Sequence, residues 1–295
     1  MGIDPARVRL PWDEDWPDAR SYLVHRLRGA GERAVDALLA AGGVVTADGS
    51  PLTAAAPYVP GQYLWFHREF APEPVVPFAL PVLYRDEHLV VADKPHFLAM
   101  TPRGSHITQT ALARLRHELD LPRLSPAHRL DRLTAGVALF VVRPEERAAY
   151  QGLFQEHRVR KEYRAVAASD PGLAFPLTVR NRITKEPGRM DAYEIPGPPN
   201  AESRIELLRG PDAPGGPALY RLLPRTGRTH QLRLHMSGLG LPILNDPLYP
   251  EVLDPDPADF SRPLQLLAYS LEFTDPVTGA ERRFSTAREL AHAPA

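Results

Sequence analysis

Apolar residues along this chain follow two different periods. Short apolar runs predict strands over residues 82–84, 89–92, 161–166 and 218–223. Helical spacing predicts a helix over 108–119 and a second one that begins at Pro144. In that second helix one face is shared by Tyr150, Leu153, Phe154 and His157. Strands and helices do not alternate as regular βαβ units, so the pattern predicts an α+β fold, a mixed, mainly antiparallel sheet with flanking helices.

A further helix is predicted near residue 232. Leu232 and Met236 would face inward, Thr229 would cap the first turn, and Gly238 and Gly240 would end the helix. The Pro- and Gly-rich segments 195–200 and 210–217 are expected to be surface loops.

Residues 1–70 have the pattern of a small N-terminal module. A helix is predicted around residues 33–41, followed by Gly42-Gly43 and by an extended segment that includes 63–66. Residues 71–81 are rich in proline and have the composition of a stiff linker. We expect residues 82–290 to form the main domain.

Composition narrows the class of protein. The length of 295 residues and a hydrophobic content of 43% fit one large domain with a small appendage. The chain has no cysteine, which excludes disulfides, thiolate zinc sites and a cysteine nucleophile. No apolar run has the length of a membrane span or of a signal-peptide core. These features predict a cytoplasmic protein without membrane association.

Charge is unevenly distributed, although the formal net charge is only −1. Residues 157–164 and 221–235 are strongly basic, and the second segment contains no acidic residue. Local basic surfaces of this kind are typical of proteins that bind nucleic acid.

The segment 128–136 carries the strongest chemical signal. Asp131 stands between Arg129 and Arg132, shortly before Gly136 and the apolar run 137–142. Nearby guanidinium groups favour the ionised form of a carboxyl group, which suits Asp131 to act as a nucleophile or as an electrostatic stabiliser. An exposed ion pair at a strand edge would explain the same residues, because such pairs are common and contribute little.

Four segments together resemble the RluA-type family of pseudouridine synthases. They are residues 84–95, 128–136, 161–165, and 226–236 with 241–246, and the resemblance covers about residues 80–285. It implies the pseudouridine-synthase fold and the conversion of uridines in ribosomal or transfer RNA to pseudouridine. The reaction is an isomerisation without redox change, so the resemblance implies no cofactor and no metal. It implies RNA as the partner and no obligate protein partner.

The resemblance also implies roles for four residues. Asp131 would be the catalytic aspartate, which acts at the ribose or at the base. Arg129 would fill the gap left by the extracted uridine, whose removal from the stack costs about a few kcal/mol. Tyr163 would lie against the extracted base, although a half-buried strand tyrosine would have the same local sequence. Arg233 would pair with Asp131 inside the pocket.

Two positions depart from the family pattern. Ala135 stands where the family usually has serine, and His96-Phe97 follow Lys94-Pro95 where a small residue and glycine are usual. The second departure alters the loop near the pocket and bears on substrate choice. Residues 41–49 resemble part of an S4-type RNA-binding domain, but the module lacks the dense basic surface of such domains.

Three other functions are open alternatives at the level of the sequence. A zinc hydrolase could use His230 and His235 with Asp131 or His128, but a spacing of five residues separates two helical side chains by about 140°. A catalytically inactive RNA-binding protein with the same fold is a second alternative. A serine hydrolase is not supported because the chain has no G-x-S-x-G segment.

Overall fold

The computed structural model describes residues 4–27, 31–66, 73–103, 106–213 and 215–294. The chain divides into two compact units, Ile3–Pro72 and Glu73–Ala295. Two residues of the predicted linker, Ala71 and Pro72, lie outside the described residues.

The first unit contains a small antiparallel sheet and two helices. The sheet has the order β1-β3-β2. Its elements are β1 (Ala6–Arg9), α1 (Ala19–Arg26), α2 (Glu32–Ala40), β2 (Val44–Val45) and β3 (Tyr63–Phe66). Asp18 caps α1 by accepting a hydrogen bond from the backbone N–H of Ser21. Apolar side chains from both helices and from one face of the sheet form a single buried core.

The second unit contains the remaining elements. They are β4 (Val82–Arg85), β5 (Leu89–Lys94), α3 (Ala111–Glu118), β6 (Ser125–Pro126), β7 (Ala135–Val141), α4 (Arg147–Gln155), β8 (Arg160–Ala168), β9 (Leu177–Asn181), β10 (Ile183–Thr184), β11 (Tyr193–Glu194), β12 (Ala201–Arg209), β13 (Pro217–Pro224), α5 (Gln231–Gly238), β14 (Leu266–Thr274) and β15 (Glu281–Ser285).

A ten-stranded sheet organises this unit. Its main path is β4-β5-β7-β14-β8-β13-β12-β9, with β15 paired to β14 and β6 paired to β7. Among the described strands of this sheet, only β7 and β14 pair in parallel. The predicted α+β class with a mixed, mainly antiparallel sheet is therefore confirmed.

Gly136 permits the parallel pairing of β7 with β14. Its φ is +114°, and a Cβ atom there would lie 2.1 Å from the carbonyl oxygen of Ala268. Only glycine fits such a close approach without displacing backbone. Ala135, the first residue of β7, is fully buried beside Val166 and Leu267, so its methyl group fits an apolar site. The end of segment 128–136 is thus fixed by the sheet.

Two predicted helices start later than the sequence pattern indicates. Helix α3 begins after Thr110, whose side chain accepts a hydrogen bond from Ala113 N–H. Thr229 was the wrong cap for α5, since the N-cap residue is His230, with φ +55° and no side-chain cap. The loop before α5 is held by Gln231, whose Oε1 accepts bonds from Thr226 Oγ1 and Arg228 N–H. These bonds replace a threonine cap.

Residues 73–81 belong to the second unit. Val76 and Leu80 are buried in its core. The Glu73 carboxylate accepts hydrogen bonds from the backbone N–H groups of Ile107, Thr108 and Gln109. This proline-rich segment is consequently tied to the loop before α3.

Candidate active site

One cleft collects side chains from three distant parts of the chain. Its walls come from the turn before β7, from β8, and from the start of α5 with the preceding loop. Its volume is about 100 Å³, which is room for several water molecules at roughly 10–15 Å³ each. The charged and aromatic residues that line it include Arg129, Asp131, Lys161, Tyr163, His230 and Arg233.

Asp131 begins the tight turn that leads into β7. Its backbone carbonyl accepts a hydrogen bond from Thr134 N–H at 3.1 Å, which closes the turn. The Asp131 side chain is 32% exposed, so the carboxylate reaches the cleft.

Lys94, the last residue of β5, and His96 in the loop that follows donate hydrogen bonds to this turn. The fully buried Lys94 Nζ donates to the carbonyl oxygens of Pro95, Leu98 and Arg132 at 2.9, 2.8 and 3.1 Å. His96 Nδ1 donates to the carbonyl oxygen of Leu133 at 2.7 Å. Burial lowers the pKa of His96 to about 4, so the ring is neutral at pH 7. The unusual His96 therefore acts as a support of the turn that carries Asp131.

Burial also affects Lys94. It lowers the pKa of this ammonium to about 7, and the charge of Asp131 acts in the opposite direction. Three carbonyl acceptors match the three N–H donors of the protonated form. The geometry thus favours a charged Lys94 directly beneath the turn.

Arg233 lies between two carboxylates. Its Nε and Nη2 atoms donate to Asp246 Oδ2 and Oδ1 at 2.7 and 2.5 Å, whereas Nη1 lies 3.8 Å from Asp131 Oδ2. Burial disfavours the charged guanidinium, but the bonds to Asp246 outweigh this effect and raise the pKa of Arg233. The structure brings Asp131 and Arg233 together as the sequence indicates, but the closer partner of Arg233 is Asp246.

The carboxylates of Asp131 and Asp246 differ in their exposure to solvent. The Asp246 side chain is fully buried, with an exposed fraction of 0%, and Arg233 is 2% exposed. Asp131 is thus the one member of this trio with a substantially exposed side chain. Because Asp246 already pairs with Arg233 through two hydrogen bonds, much of the negative charge of Asp131 remains available to a ligand.

Tyr163 lies on β8 with its half-buried side chain in the same cleft. Burial raises the pKa of its hydroxyl well above the usual range, and the charge of Asp131 adds to this shift. The phenol is therefore neutral at pH 7 and presents an uncharged aromatic surface beside Asp131.

Arg129 is exposed at the edge of the cleft. Within the described part of the chain its guanidinium has neither an ion pair nor a hydrogen bond. An arginine without an internal partner can stack on a base or bind a phosphate at no cost in broken contacts.

Comparison with known proteins shows which family the chain resembles. Residues 88–238 match the family model described as RNA pseudouridylate synthase. The chain is 34% identical over 211 residues to the RNA pseudouridine synthase slr1592 of Synechocystis, covering 70% of this chain and 71% of that protein. It is 32% identical over 208 residues to the dual-specificity RNA pseudouridine synthase RluA of Salmonella typhi, covering 70% and 91%.

The chain belongs to the RluA-type RNA pseudouridine synthases. This membership confirms the family and makes the protein an isomerase that acts on RNA. Solved structures agree on the fold. Human RNA pseudouridylate synthase domain containing 4 has a TM-score of 0.53 at 25% identity, covering 70% of this chain and 87% of that one. Human RNA pseudouridylate synthase domain containing 1 has a TM-score of 0.55 at 23% identity, covering 71% and 84%.

Sequence reasoning about this pseudouridine synthase assigned no role in the site to Lys161 or to Asp246, and it considered His230 only as a zinc ligand; Lys161 and His230 line the cleft, and Asp246 lies behind it as the partner of Arg233. Lys161 donates from Nζ to the carbonyl oxygen of Thr226 at 3.2 Å, and burial lowers its pKa to about 8. His230 lies 3.1 Å, through Nδ1, from the hydroxyl of Tyr249. All three stand inside the segments that resemble the family, and that membership was the available signal.

The histidines of the zinc alternative lie in separate environments of this synthase. His128 Nε2 accepts a hydrogen bond from Leu139 N–H, and its ring stacks on Phe154 at 4.4 Å between centroids. His235 Nε2 bonds to Asn181 Oδ1 at 2.9 Å. The described residues contain no group of three or more His, Cys, Asp or Glu side chains that could hold a metal ion.

No helix in the described part of the chain is both long and apolar enough to cross a bilayer.

Proposed function

We propose that Asp131 is the catalytic residue with which this synthase converts specific uridines in RNA to pseudouridine. In this reaction the N1–C1′ bond breaks, the base turns, a C5–C1′ bond forms, and the proton on C5 is lost to solvent as N1 gains one. The observation that carries the proposal is the partly exposed Asp131 carboxylate, 3.8 Å from a buried guanidinium, in a cleft with an aromatic ring.

Arg233 serves as the positioning residue in this proposal. Its two bonds to Asp246 fix the guanidinium, and the free Nη1 edge faces Asp131. A fixed cation favours the ionised carboxylate without occupying both of its oxygens. Asp131 can then attack or stabilise the nucleoside at the ribose or at the base.

Tyr163 and Arg129 handle the extracted nucleotide in this proposal. Stacking on the neutral Tyr163 ring would contribute roughly 1–3 kcal/mol per base, which offsets an extraction cost of about a few kcal/mol. Arg129 has no partner among the described residues to lose and can occupy the space that the base leaves. No residue in this scheme requires a metal or a cofactor.

We propose ribosomal or transfer RNA as the substrate, in the cytoplasm. The relative from Salmonella typhi is named a dual-specificity RNA pseudouridine synthase, which supports more than one RNA substrate. The basic segments 157–164 and 221–235 fit contacts with a phosphate backbone.

Tritium release tests this proposal. Wild-type protein should release tritium from C5 of [5-³H]-uridine in unmodified ribosomal or transfer RNA, and Asp131→Asn should abolish release while RNA affinity stays within about twofold. Asp254→Asn is the matched control, because Asp254 is exposed outside the cleft. Turnover in Asp131→Asn would refute the assigned role, and a wild-type protein that binds RNA without turnover would be the inactive RNA-binding alternative.

A further inference from the structure

The outer face of the N-terminal sheet carries two arginines among three aromatic residues. Side chains alternate along each strand, so Val8, Leu64 and Phe66 point into the core of this unit. Arg7 and Arg9 of β1 occupy the other face, paired across the strands with Trp65 and Tyr63 of β3. We call the set Arg7, Arg9, Trp12, Tyr63 and Trp65 the arginine–aromatic face.

The guanidinium groups and the rings of this face contact one another in series. The Arg7 guanidinium lies 4.9 Å from the Tyr63 ring centroid, and that of Arg9 lies 5.5 Å from Tyr63 and 5.9 Å from Trp12. The Tyr63 and Trp65 rings are 5.9 Å apart. Across the described residues neither arginine has a carboxylate partner. Both cations are therefore held by rings alone and can bind an anion without losing an ion pair.

Trp12 is unusually exposed and yet held in place. Its side chain is 70% exposed, which is rare for so large an apolar group without a partner. The indole lies across Gly61, where a Cβ atom would come within 2.2 Å of it. A flat ring fixed against the backbone offers its other side to solvent at little cost in conformational entropy.

The acidic residues that follow Trp12 act on Tyr58, whose hydroxyl donates to the carbonyl oxygen of Pro11 at 2.8 Å. Asp13, Glu14 and Asp15 are close to Tyr58, and burial together with their charges raises the pKa of this tyrosine. Tyr58 packs with Tyr22 on the helix side of the sheet, at 5.8 Å between centroids. Because this acidic run adjoins Trp12, phosphates are assigned to Arg7 and Arg9, and only a base to the Trp12 ring.

We infer that the arginine–aromatic face binds single-stranded RNA, with bases stacked on its rings and phosphates on Arg7 and Arg9. Aromatic rings beside cations are the combination by which proteins bind single strands, because every base has a π-face and every linkage has a charge. A duplex would not bind in this way, since its bases are already stacked. The inference rests on the proposed function only in taking RNA as the substrate class.

The chain offers a direct reporter for this test. All three of its tryptophans, Trp12, Trp16 and Trp65, lie in the first unit, and two belong to the arginine–aromatic face. Tryptophan fluorescence of the full-length protein would be titrated with a single-stranded oligoadenylate, which contains no uridine and cannot be a substrate. We expect saturable quenching, and little quenching by a duplex of equal length.

Variants that keep every tryptophan identify the binding groups. Tyr63→Leu should weaken the affinity on the order of 5- to 150-fold, the loss expected for one stacked base. The pair Arg7→Gln and Arg9→Gln should weaken affinity and reduce the salt slope of log affinity by about 0.7 for each lost phosphate contact. Arg33→Gln is the matched control, since Arg33 is exposed on α2 of the same unit.

Several outcomes would overturn the inference. They are no saturable quenching, equal quenching by the duplex, or equal loss of affinity in Arg33→Gln and in the double arginine variant. Because the arginine substitutions lie at the surface, they test the inference even if Tyr63→Leu fails to fold. Tritium release without quenching would refute this inference and leave the proposed function intact, and quenching without tritium release would do the reverse.

Discussion

Removal of the Asp246 side chain tests whether this buried residue controls both stability and catalysis. Asp246→Ala would delete both hydrogen bonds to Arg233 and the bond that Asp246 Oδ1 accepts from Leu248 N–H. The remaining carboxylate near Arg233 would be Asp131, at 3.8 Å. The variant would therefore leave a buried cation with one distant partner.

The expected loss of stability follows from this geometry. Removing one partner of a buried ion pair costs about 3–5 kcal/mol. In a unit of this size each kcal/mol lowers the melting temperature by about 2–4 °C, so we expect a decrease of roughly 6–20 °C. Activity should fall further than the folded fraction explains, because Arg233 would move toward Asp131 and neutralise it.

Differential scanning calorimetry and tritium release, both below the melting temperature of the variant, measure the two effects. The double variant Asp246→Ala with Arg233→Met provides the control, because removal of both charges leaves no unpaired cation. It should be more stable than Asp246→Ala alone and should remain inactive. A melting temperature within about 1 °C of wild type for Asp246→Ala would refute the role of Asp246 as the anchor of Arg233.

Three further results are expected. Gly136→Ala should prevent correct pairing of β7 with β14, because its Cβ would lie 2.1 Å from Ala268 O. The free energy of unfolding should fall by several kcal/mol, on the order of 3 or more. A urea midpoint equal to that of wild type would contradict this. Arg129→Ala should leave the melting temperature unchanged, since Arg129 is exposed and has no partner among the described residues. It should reduce kcat/KM for RNA about tenfold or more. An unchanged kcat/KM would show that Arg129 does not contact the RNA substrate. The third result concerns pH. Burial lowers the pKa of His128 to about 3 and of His235 to about 4 from an ordinary value of 6.5. The folded protein keeps both rings neutral, whereas the unfolded chain takes up protons below pH 6.5. The free energy of unfolding should therefore be at its full value above pH 6.5. It should fall by about 1.4 kcal/mol per pH unit for each histidine as the pH drops toward 4. His235→Leu should remove about one proton from that slope in urea titrations at pH 7, 6 and 5, and an unchanged slope would count against a neutral buried His235.

The sequence predicted the strands and the identity of the cleft residues better than their partners. Apolar runs locate β5, β8 and β13, because continuous or alternating hydrophobic positions have few other interpretations at that length. The motif around Asp131 and the later Arg233 also predicted that these two side chains meet.

The partner of Arg233 could not be predicted in the same way. Asp246 lies thirteen residues after Arg233 and beyond the end of α5, so local spacing does not indicate their contact. The start of α5 was also missed, because His230 adopts a left-handed conformation that a histidine rarely takes and that no propensity indicates. The role of His96 depends on a carbonyl oxygen of a turn 37 positions away. Roles in RNA binding for residues 1–70 and the boundaries of the domains remain predictions.

The position of β14 has a consequence for synthesis of the protein on the ribosome. This strand lies between β7, which follows the Asp131 turn, and β8, which carries Tyr163, yet it is translated about a hundred residues after β8 and later still after β7. A nascent chain that already contains Asp131, Tyr163 and Arg233 would lack the strand that joins their supports. Pairing over such separations is slow to form. A half-made enzyme would thus be unable to modify the RNA around it until its last central strand has emerged.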